Sequence, residues 1–203
     1  MNCTEFMSTR RRACLSTPFA SAAVALCSML SACTDDPRCP PLPGGAAYCL
    51  QSSGAVQAFT ALQDIHLQGR GLDERLIARL EVDHDGMRLA GLTPMGQRVL
   101  EARFDNQAAT ADSLAGSGID ARALLSLVQL ATWPVDTVRA GLRDGWTLEE
   151  TSTRRRILHN DQVFMEIAGI GSPPHYANLT IFLPRIELML TVTEIVEEGA
   201  DVR

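Results

Sequence analysis

The chain has 203 residues, 46% of them hydrophobic, and a formal net charge of −6 at pH 7. An acidic chain of this kind is not expected to bind nucleic acid. It contains no lysine, which excludes Schiff-base chemistry and the lysine of phosphate-binding loops.

The N-terminal stretch has the pattern of an export signal that ends in a lipid-attachment site. The arginines Arg10 to Arg12 precede an apolar run from Phe19 to Leu30, and Leu30-Ser31-Ala32-Cys33 closes that run. A positive segment, an apolar segment and small residues before a cysteine resemble bacterial lipoprotein signals. We therefore expect residues 1–32 to be a signal peptide and Cys33 to carry acyl chains such as palmitate.

The residue after Cys33 predicts which membrane holds the anchor. It is Thr34, whereas an aspartate in this place retains many Gram-negative lipoproteins in the inner membrane. We therefore expect a lipid anchor in the outer membrane, on its periplasmic face, where two or more acyl chains hold a protein stably. The expected partners are this membrane, a hydrophobic ligand or lipoprotein cargo, and a periplasmic carrier or inner-membrane exporter.

Residues 33–54 are rich in Pro, Gly and Ser and predict a lipid anchor followed by a tether. Cys39 and Cys49 flank a Pro-Gly run inside this segment. Two remaining cysteines usually pair in an oxidising compartment, so a disulfide is predicted. Two unpaired thiols in a disordered tether are the alternative, and no nearby histidine supports a metal site.

Alternating apolar residues predict strands from Val56 onward, in a domain spanning residues 55–196 with a polar tail at 197–203. The best alternation ends at Asp85-Gly86 and resumes after it, which indicates a tight hairpin. Thr93-Pro94-Met95-Gly96 indicates the next turn. The predicted strands of this half lie at residues 76–83, 87–89 and 100–104, with one or two more between Val56 and Gln68.

The period changes between Ser117 and Leu142, where the pattern predicts helices. A first helix would begin after a Ser117 or Asp120 cap and end at Trp133-Pro134, and a second would stop near Asp144-Gly145. The first helix is apolar around more than one packing stripe. Either it is wedged between a sheet and loops, or it forms a lid over a cavity for an apolar ligand.

The pattern returns to strands after the helices, which gives nine or ten antiparallel strands in all. We therefore predict a mainly β fold with inserted helices (α+β), arranged as an antiparallel open half barrel with a two-helix lid. A two-sheet sandwich is the competing arrangement. The later strands are predicted at residues 146–151, 153–159, 163–167, 176–183 and 186–195.

Two stretches, Leu89 to Leu100 and Leu124 to Pro134, carry a resemblance to a family of uncharacterised Gram-negative lipoproteins. Its most specific pieces are Gly91-Leu92-Thr93-Pro94, Gly96-Gln97-Arg98 and Trp133-Pro134. Some members of that family are encoded beside aryl polyene biosynthesis enzymes, and the family is itself similar to the LolA and LolB lipoprotein carriers. The resemblance implies an open half barrel whose helical lid shelters acyl chains. It does not identify the ligand, and no LolB insertion loop can be located here.

These observations predict a non-catalytic lipoprotein that binds and transfers a hydrophobic ligand, either lipoprotein acyl chains or a polyene-type lipid. No cofactor and no metal are expected. An assembly lipoprotein that docks a protein partner through its apolar helix is the alternative. The predicted lid and cavity residues are Leu80, Leu89, Leu100, Leu124, Leu127, Val128, Trp133, Met165 and Leu188.

Other polar groups suggest chemistry only weakly. Asp83-His84-Asp85 and His159-Asn160-Asp161 both fall at predicted turns, where turn geometry itself selects Asp and Asn; they would form a metal site only if the turns met. His66 and His175 have no evident partner. The run Arg154 to Arg156 is interpreted as a solvated strand end, or else as a contact with lipid headgroups.

Overall fold

The structure, a computed structural model, describes residues 36–43, 45–46, 48–113, 120–143, 145–169 and 178–195. They belong to one compact unit that extends from residue 35 to residue 203. The predicted signal peptide, Cys33, Ser117, His175 and the polar tail lie outside the described residues.

From its N-terminal end, the described chain forms five strands, two helices and five further strands. One short 3-10 turn precedes the first strand and another joins the last two strands. The elements are β1 (Phe59–Gly69), β2 (Leu72–Asp83), β3 (Gly86–Leu92), β4 (Arg98–Phe104), β5 (Ala109–Ser113), α1 (Ala121–Thr132), α2 (Val135–Gly141), β6 (Trp146–Glu150), β7 (Arg154–His159), β8 (Gln162–Ala168), β9 (Asn178–Leu183) and β10 (Leu188–Glu194).

All ten strands form a single open antiparallel sheet, in the order β5-β4-β3-β2-β1-β10-β9-β8-β7-β6. Consecutive strands pair throughout each half, and the antiparallel pairing of β1 with β10 joins the halves. The prediction of nine or ten antiparallel strands with helices inserted after the fourth or fifth is confirmed. A single open sheet fits the expected open half barrel better than a two-sheet sandwich.

Local polar groups build the turns and the helix start that the sequence indicates. The Asp83 carboxylate accepts hydrogen bonds from the backbone N–H groups of Asp85 and Gly86, at 2.8 and 3.0 Å, and so closes the β2–β3 hairpin. The Asp120 carboxylate caps α1 by accepting from the Arg122 backbone N–H at 3.0 Å. A hydrogen bond from the Arg122 guanidinium lowers the pKa of that carboxyl, which keeps the cap ionised.

The first helix ends at Trp133 and the second begins directly after Pro134, as the Trp-Pro pair predicts. Proline suits this junction because its fixed φ favours a helix start and it has no N–H to leave unbonded. α1 packs on β4 and β5, whereas α2 packs on β6. The two helices therefore contact opposite ends of the sheet.

The segment predicted as a tether is packed instead. We call its described residues, within 36–54, the N-terminal arm. Tyr48 and Leu50 are almost fully buried, and the Tyr48 hydroxyl donates to the Gln129 side-chain carbonyl at 2.8 Å. Gln129 in turn donates to the Gln51 carbonyl at 2.8 Å. The Pro-Gly composition suggested a mobile linker, but the apolar residues between the turns are buried against α1.

Close packing explains why residue 141, the last of α2, is a glycine. A β-carbon on this residue would lie 2.4 Å from the Tyr48 ring and 2.5 Å from the Cys49 carbonyl oxygen. The absence of a side chain lets the Cys49 N–H donate to the Gly141 carbonyl at 2.9 Å. Burial raises the pKa of the Tyr48 phenol well above its usual range, so the hydroxyl stays a hydrogen-bond donor to α1.

Cys39 and Cys49 are joined by a disulfide within this arm. Replacing both residues with serine is expected to lower the free energy of unfolding by about 2–3 kcal/mol, because the bridge closes a short loop in the unfolded chain. Urea denaturation measures the change. Reductant should weaken the native chain by a similar amount and leave the double variant unaffected; equal midpoints for the native chain with and without reductant would contradict the prediction.

Candidate ligand-binding cavity

A cavity of about 310 Å³ lies between one face of the sheet and α1. Its walls come from β1, β2, β3, β4, α1, β9 and β10, so both halves of the sheet contribute. Nineteen of the residues that the structure describes line the cavity; sixteen of them are aliphatic and none is aromatic. These residues are Gln63, Ile65, Leu67, Leu72, Glu74, Leu76, Leu80, Leu89, Val99, Leu100, Leu124, Leu127, Val128, Ala131, Thr132, Leu179, Ile181, Leu190 and Val192.

The strand alternation places these side chains on one face. Gln63, Ile65 and Leu67 are spaced by two along β1 and share the inner face. The register sets Ile65 opposite Leu76 of β2 on one side and opposite Val192 of β10 on the other. Because β1 lies at the centre of the sheet, its inner face forms the floor of the cavity.

A bulge in β4 adds a further side chain to the wall. Gly91 pairs with Leu100 and Leu92 pairs with Arg98, so Val99 has no partner across the β3–β4 ladder. An extra residue of this kind redirects the side chains around it, and here both Val99 and Leu100 line the cavity. A β-carbon on Gly91 would lie 2.8 Å from Leu100 Cγ, so the glycine provides the space that Leu100 occupies.

The helix α1 covers the cavity with one of its faces. Four of its residues follow helical spacing and line the cavity: Leu124, Leu127, Val128 and Ala131. Other positions, including Leu125 and Gln129, are fully buried away from it. α1 is therefore apolar around more than one packing stripe because one of its faces lines the cavity and another packs against the core and the N-terminal arm. α2 contributes no lining residue, so the predicted two-helix lid reduces to α1.

Arg155 of β7 holds the C-terminal end of α1. Its Nη1 donates to the carbonyl oxygens of Leu130 and Trp133, at 2.7 and 3.0 Å, and its Nε donates to Glu150. Cationic donors are favourable here because the last carbonyls of a helix lack partners within the helix. Arg155 is thus neither a solvated strand end nor a headgroup contact; it joins α1 to the far half of the sheet.

The other two arginines of the run differ from Arg155 in exposure. Arg154 and Arg156 both form ion pairs with Glu166, and their side chains are 49% and 40% exposed, against 4% for Arg155. The predicted solvated surface therefore fits Arg154 and Arg156 alone.

Six of the nine predicted site residues line the cavity: Leu80, Leu89, Leu100, Leu124, Leu127 and Val128. Three do not. Trp133 is buried in the core at the junction of the helices and Met165 is fully buried in β8, while Leu188 packs against the core from the start of β10. These three residues differ from the other six for one reason. Inward alternation identifies buried positions, but it does not distinguish the filled part of the core from the part that encloses space.

The cavity floor includes residues of β1, β9 and β10 that were not among the predicted site residues. Ile65, Leu67, Leu179, Ile181 and Val192 all line it. The signal was present as period-2 alternation in each strand. What was missing was the pairing of β1 with β10, because residues far apart in the chain are involved.

Three polar residues, Gln63, Glu74 and Thr132, also line the cavity. Gln63 lies on the floor and is 9% exposed, whereas Glu74 is exposed and marks the open side. None of the described lining residues carries a positive charge. This part of the cavity wall is therefore suited to an apolar molecule rather than to an anionic group.

The candidate metal ligands do not come together. Asp83, His84 and Asp85 form an exposed cluster at the β2–β3 turn, but strands β1, β10 and β9 separate it in the sheet from the β7–β8 turn that holds His159. His159 stacks on Trp146, with ring centroids 4.5 Å apart. His66, which lacked an evident partner in the sequence, contacts the Asp73 carboxylate at 2.5 Å.

Within the described residues, neither helix has the length and apolar character needed to span a membrane.

Comparison with known proteins places the chain in a family without giving it a function. No curated protein matches it. The family described as "Protein of unknown function (DUF3261)" matches residues 60–194, a range that contains every lining residue of the cavity and extends from β1 to β10. Because this match covers well over half of the chain, the protein belongs to the DUF3261 family.

Proposed function

We propose that this protein is an outer-membrane lipoprotein that binds a hydrophobic ligand in its cavity and transfers it within the periplasm, without catalysing a reaction. The observation that supports the proposal is the aliphatic cavity of about 310 Å³ beneath α1. Natural cores are packed without voids much larger than a water molecule, so this space is the feature of the domain that most favours a bound molecule. Its volume falls at the lower end of the range for small-molecule sites.

Affinity would come from apolar burial. Each methylene group that leaves water for such a site contributes about 0.8 kcal/mol. A chain of eight carbons therefore gains about 6 kcal/mol, before the free-energy cost of immobilising it is subtracted. Since the walls are aliphatic, recognition depends on the length and width of the ligand more than on aromatic stacking.

The volume restricts the ligand to a slender molecule. It is about twice that of the ~150 Å³ apolar cavity that binds benzene, which suits one acyl or polyene chain. The several acyl chains of a lipoprotein exceed it, so a lipoprotein cargo requires α1 to move away from the sheet. A single polyene-type or acyl chain is thus the ligand that the observed cavity favours.

The open sheet and its helical cover also support a carrier related in design to LolA and LolB. In such a carrier the curved sheet forms a half barrel and the helix shelters the chain. Leu124, Leu127 and Val128 would form the inner surface of that cover. The ligand would enter on the side where Glu74 is exposed and Leu72 is half-buried.

The anchor would hold the cavity close to the membrane. If Cys33 carries the lipid, Asp36, where the described part of the N-terminal arm begins, follows it three positions later. Three residues span at most about 11 Å. The domain would therefore stay near the inner leaflet of the outer membrane, as the short tether predicted from the sequence also implies.

The alternative of an assembly lipoprotein has less support. A docking helix would expose an apolar face, but the strongly exposed large hydrophobic residues of the described chain are Met95, Phe182 and Met189, none of them on a helix. The apolar residues of α1 that are only partly buried, Leu124 and Val128, line the cavity. The helix surface is therefore occupied by the domain itself.

Ligand binding is tested with residues 34–203, which contain the whole compact unit and its disulfide. Native mass spectrometry and organic extraction of the purified protein should reveal a bound lipid at one molecule per chain. After delipidation, the protein should enhance the fluorescence of diphenylhexatriene, an uncharged hydrocarbon, with saturation at one probe per chain. Heat-unfolded protein is the control. Absence of both a co-purifying lipid and probe uptake would overturn the proposal.

The anchor is tested separately in cells that express the full chain. Radioactive palmitate should label the wild-type protein in the outer-membrane fraction and should not label Cys33→Ala. Equal labelling of the two proteins would exclude Cys33 as the attachment site.

A further inference from the structure

Gln63 is a largely buried amide on the floor of a mostly aliphatic cavity. It is 9% exposed and lines the cavity between the inward side chains of Ala61 and Ile65. Its neighbour across the β1–β2 ladder is Ala78, which has no polar side chain. Among the residues that the structure describes, no hydrogen bond reaches the Gln63 side chain.

An unpaired amide in this place is unfavourable for a protein that binds only hydrocarbon. Burying an amide without a hydrogen-bond partner costs free energy, and an aliphatic side chain of similar size would avoid that cost. In the described chain, the side-chain atoms that are fully buried without a partner are Ser126 Oγ and Trp133 Nε1, so the Gln63 amide keeps access to the cavity. A ligand that fills this space would cover the amide and would have to supply its hydrogen-bond partner.

The charges around the cavity restrict the group that can pair with Gln63. Glu74 is the one charged residue among the described residues that line the cavity, and it is acidic. A carboxylate or phosphate buried here would meet this negative charge, and no described lining residue is a cation that could pair with it. An uncharged oxygen, by contrast, can accept from the Gln63 NH₂ group.

We infer that the ligand is an aliphatic chain carrying an uncharged hydrogen-bonding group, such as an ester, amide or alcohol, and that Gln63 is the residue that recognises this group. The inference rests on the proposed function, because it needs the cavity to hold a ligand. Glutamine suits the role since it offers both a donor and an acceptor without charge. Gln63 thereby sets how deep the polar group of the ligand enters the cavity.

The test compares three proteins made as residues 34–203: wild type, Gln63→Leu and Gln68→Leu. Gln68 lies on the same strand but on the opposite face, so it is a matched control outside the cavity. Affinities are measured for diphenylhexatriene directly, and for methyl octanoate and the octanoate anion by displacement of that probe. Gln63→Leu should weaken binding of the methyl ester about three- to tenfold, the effect of one hydrogen bond.

The same substitution should leave the affinity for diphenylhexatriene unchanged or improved, because this hydrocarbon makes no hydrogen bond. Gln68→Leu should change neither affinity, and the octanoate anion should bind wild type at least about tenfold more weakly than its ester. If the probe binds but Gln63→Leu leaves ester affinity within twofold, or the anion binds as well as the ester, the inference is wrong and the proposed function stands. If neither probe nor ester binds wild type, both are overturned.

Discussion

Replacing Arg155 with alanine is expected to lower the free energy of unfolding by about 2–4 kcal/mol, because it removes a buried, charged donor that serves two carbonyl oxygens. The substitution would leave the Leu130 and Trp133 carbonyls at the end of α1 without their donor, and it would leave Glu150 without its ion-pair partner. Urea denaturation of residues 34–203, followed by circular dichroism, measures the change.

The neighbouring arginines are the controls for this prediction. Arg154→Ala and Arg156→Ala remove partly exposed ion pairs with Glu166, and exposed pairs contribute about 0–1 kcal/mol. Arg155→Lys keeps the charge but lacks the forked geometry that reaches two carbonyls and a carboxylate, so it should fall between alanine and wild type. Three alanine variants of equal stability would show that Arg155 does not fix α1.

Replacing Val128 with tryptophan is expected to lower the affinity for diphenylhexatriene by about tenfold or more. Val128 lines the cavity from α1 and is only partly buried. The larger ring can therefore enter the cavity without displacing the packed core, and overpacking of this kind usually costs only about 1–3 kcal/mol of stability. Fluorescence titration measures the affinity, and urea denaturation verifies the fold.

Met95→Trp is the matched control for the cavity-filling variant. Met95 is 90% exposed, at the turn between β3 and β4, so a tryptophan there adds the same aromatic group to the protein outside the cavity. Its affinity for the probe should equal that of wild type. If a folded Val128→Trp protein also binds the probe as wild type does, the ligand site lies elsewhere.

Most of the strands, the start of α1 and the junction of the two helices follow from local patterns in the chain, whereas α2 ends at Gly141, before the predicted stop near Asp144-Gly145. Alternation from Leu76 to Val82 identifies β2, Asp85-Gly86 identifies its hairpin, and Trp133-Pro134 identifies the junction of α1 and α2. These signals are readable because each depends on neighbouring residues whose backbone preferences are nearly independent of the rest of the fold. β5 was missed since Ala109–Ser113 is a short edge strand with little apolar character.

The N-terminal arm shows where composition misleads. Pro and Gly are common both in mobile linkers and in tightly turning segments that pack on a domain. Tyr48 and Leu50 decide between the two, because each is buried against elements far along the chain. The hydrogen bond from Tyr48 to Gln129 joins residues that are 81 positions apart. Local sequence patterns do not predict contacts over such a separation.

Local patterns in the chain are enough to predict most of the strands, the turns, the helix junction and the aliphatic character of the inner face, because residue type and local period encode all of these. They do not reveal that β1 pairs with β10, that Arg155 holds α1, that Trp133 and Met165 fill the core, or that Gln63 faces the cavity. A cavity is volume left between elements that are distant in the chain. Alternation states which side chains point inward, but only the paired sheet and the helix above it decide whether those side chains meet.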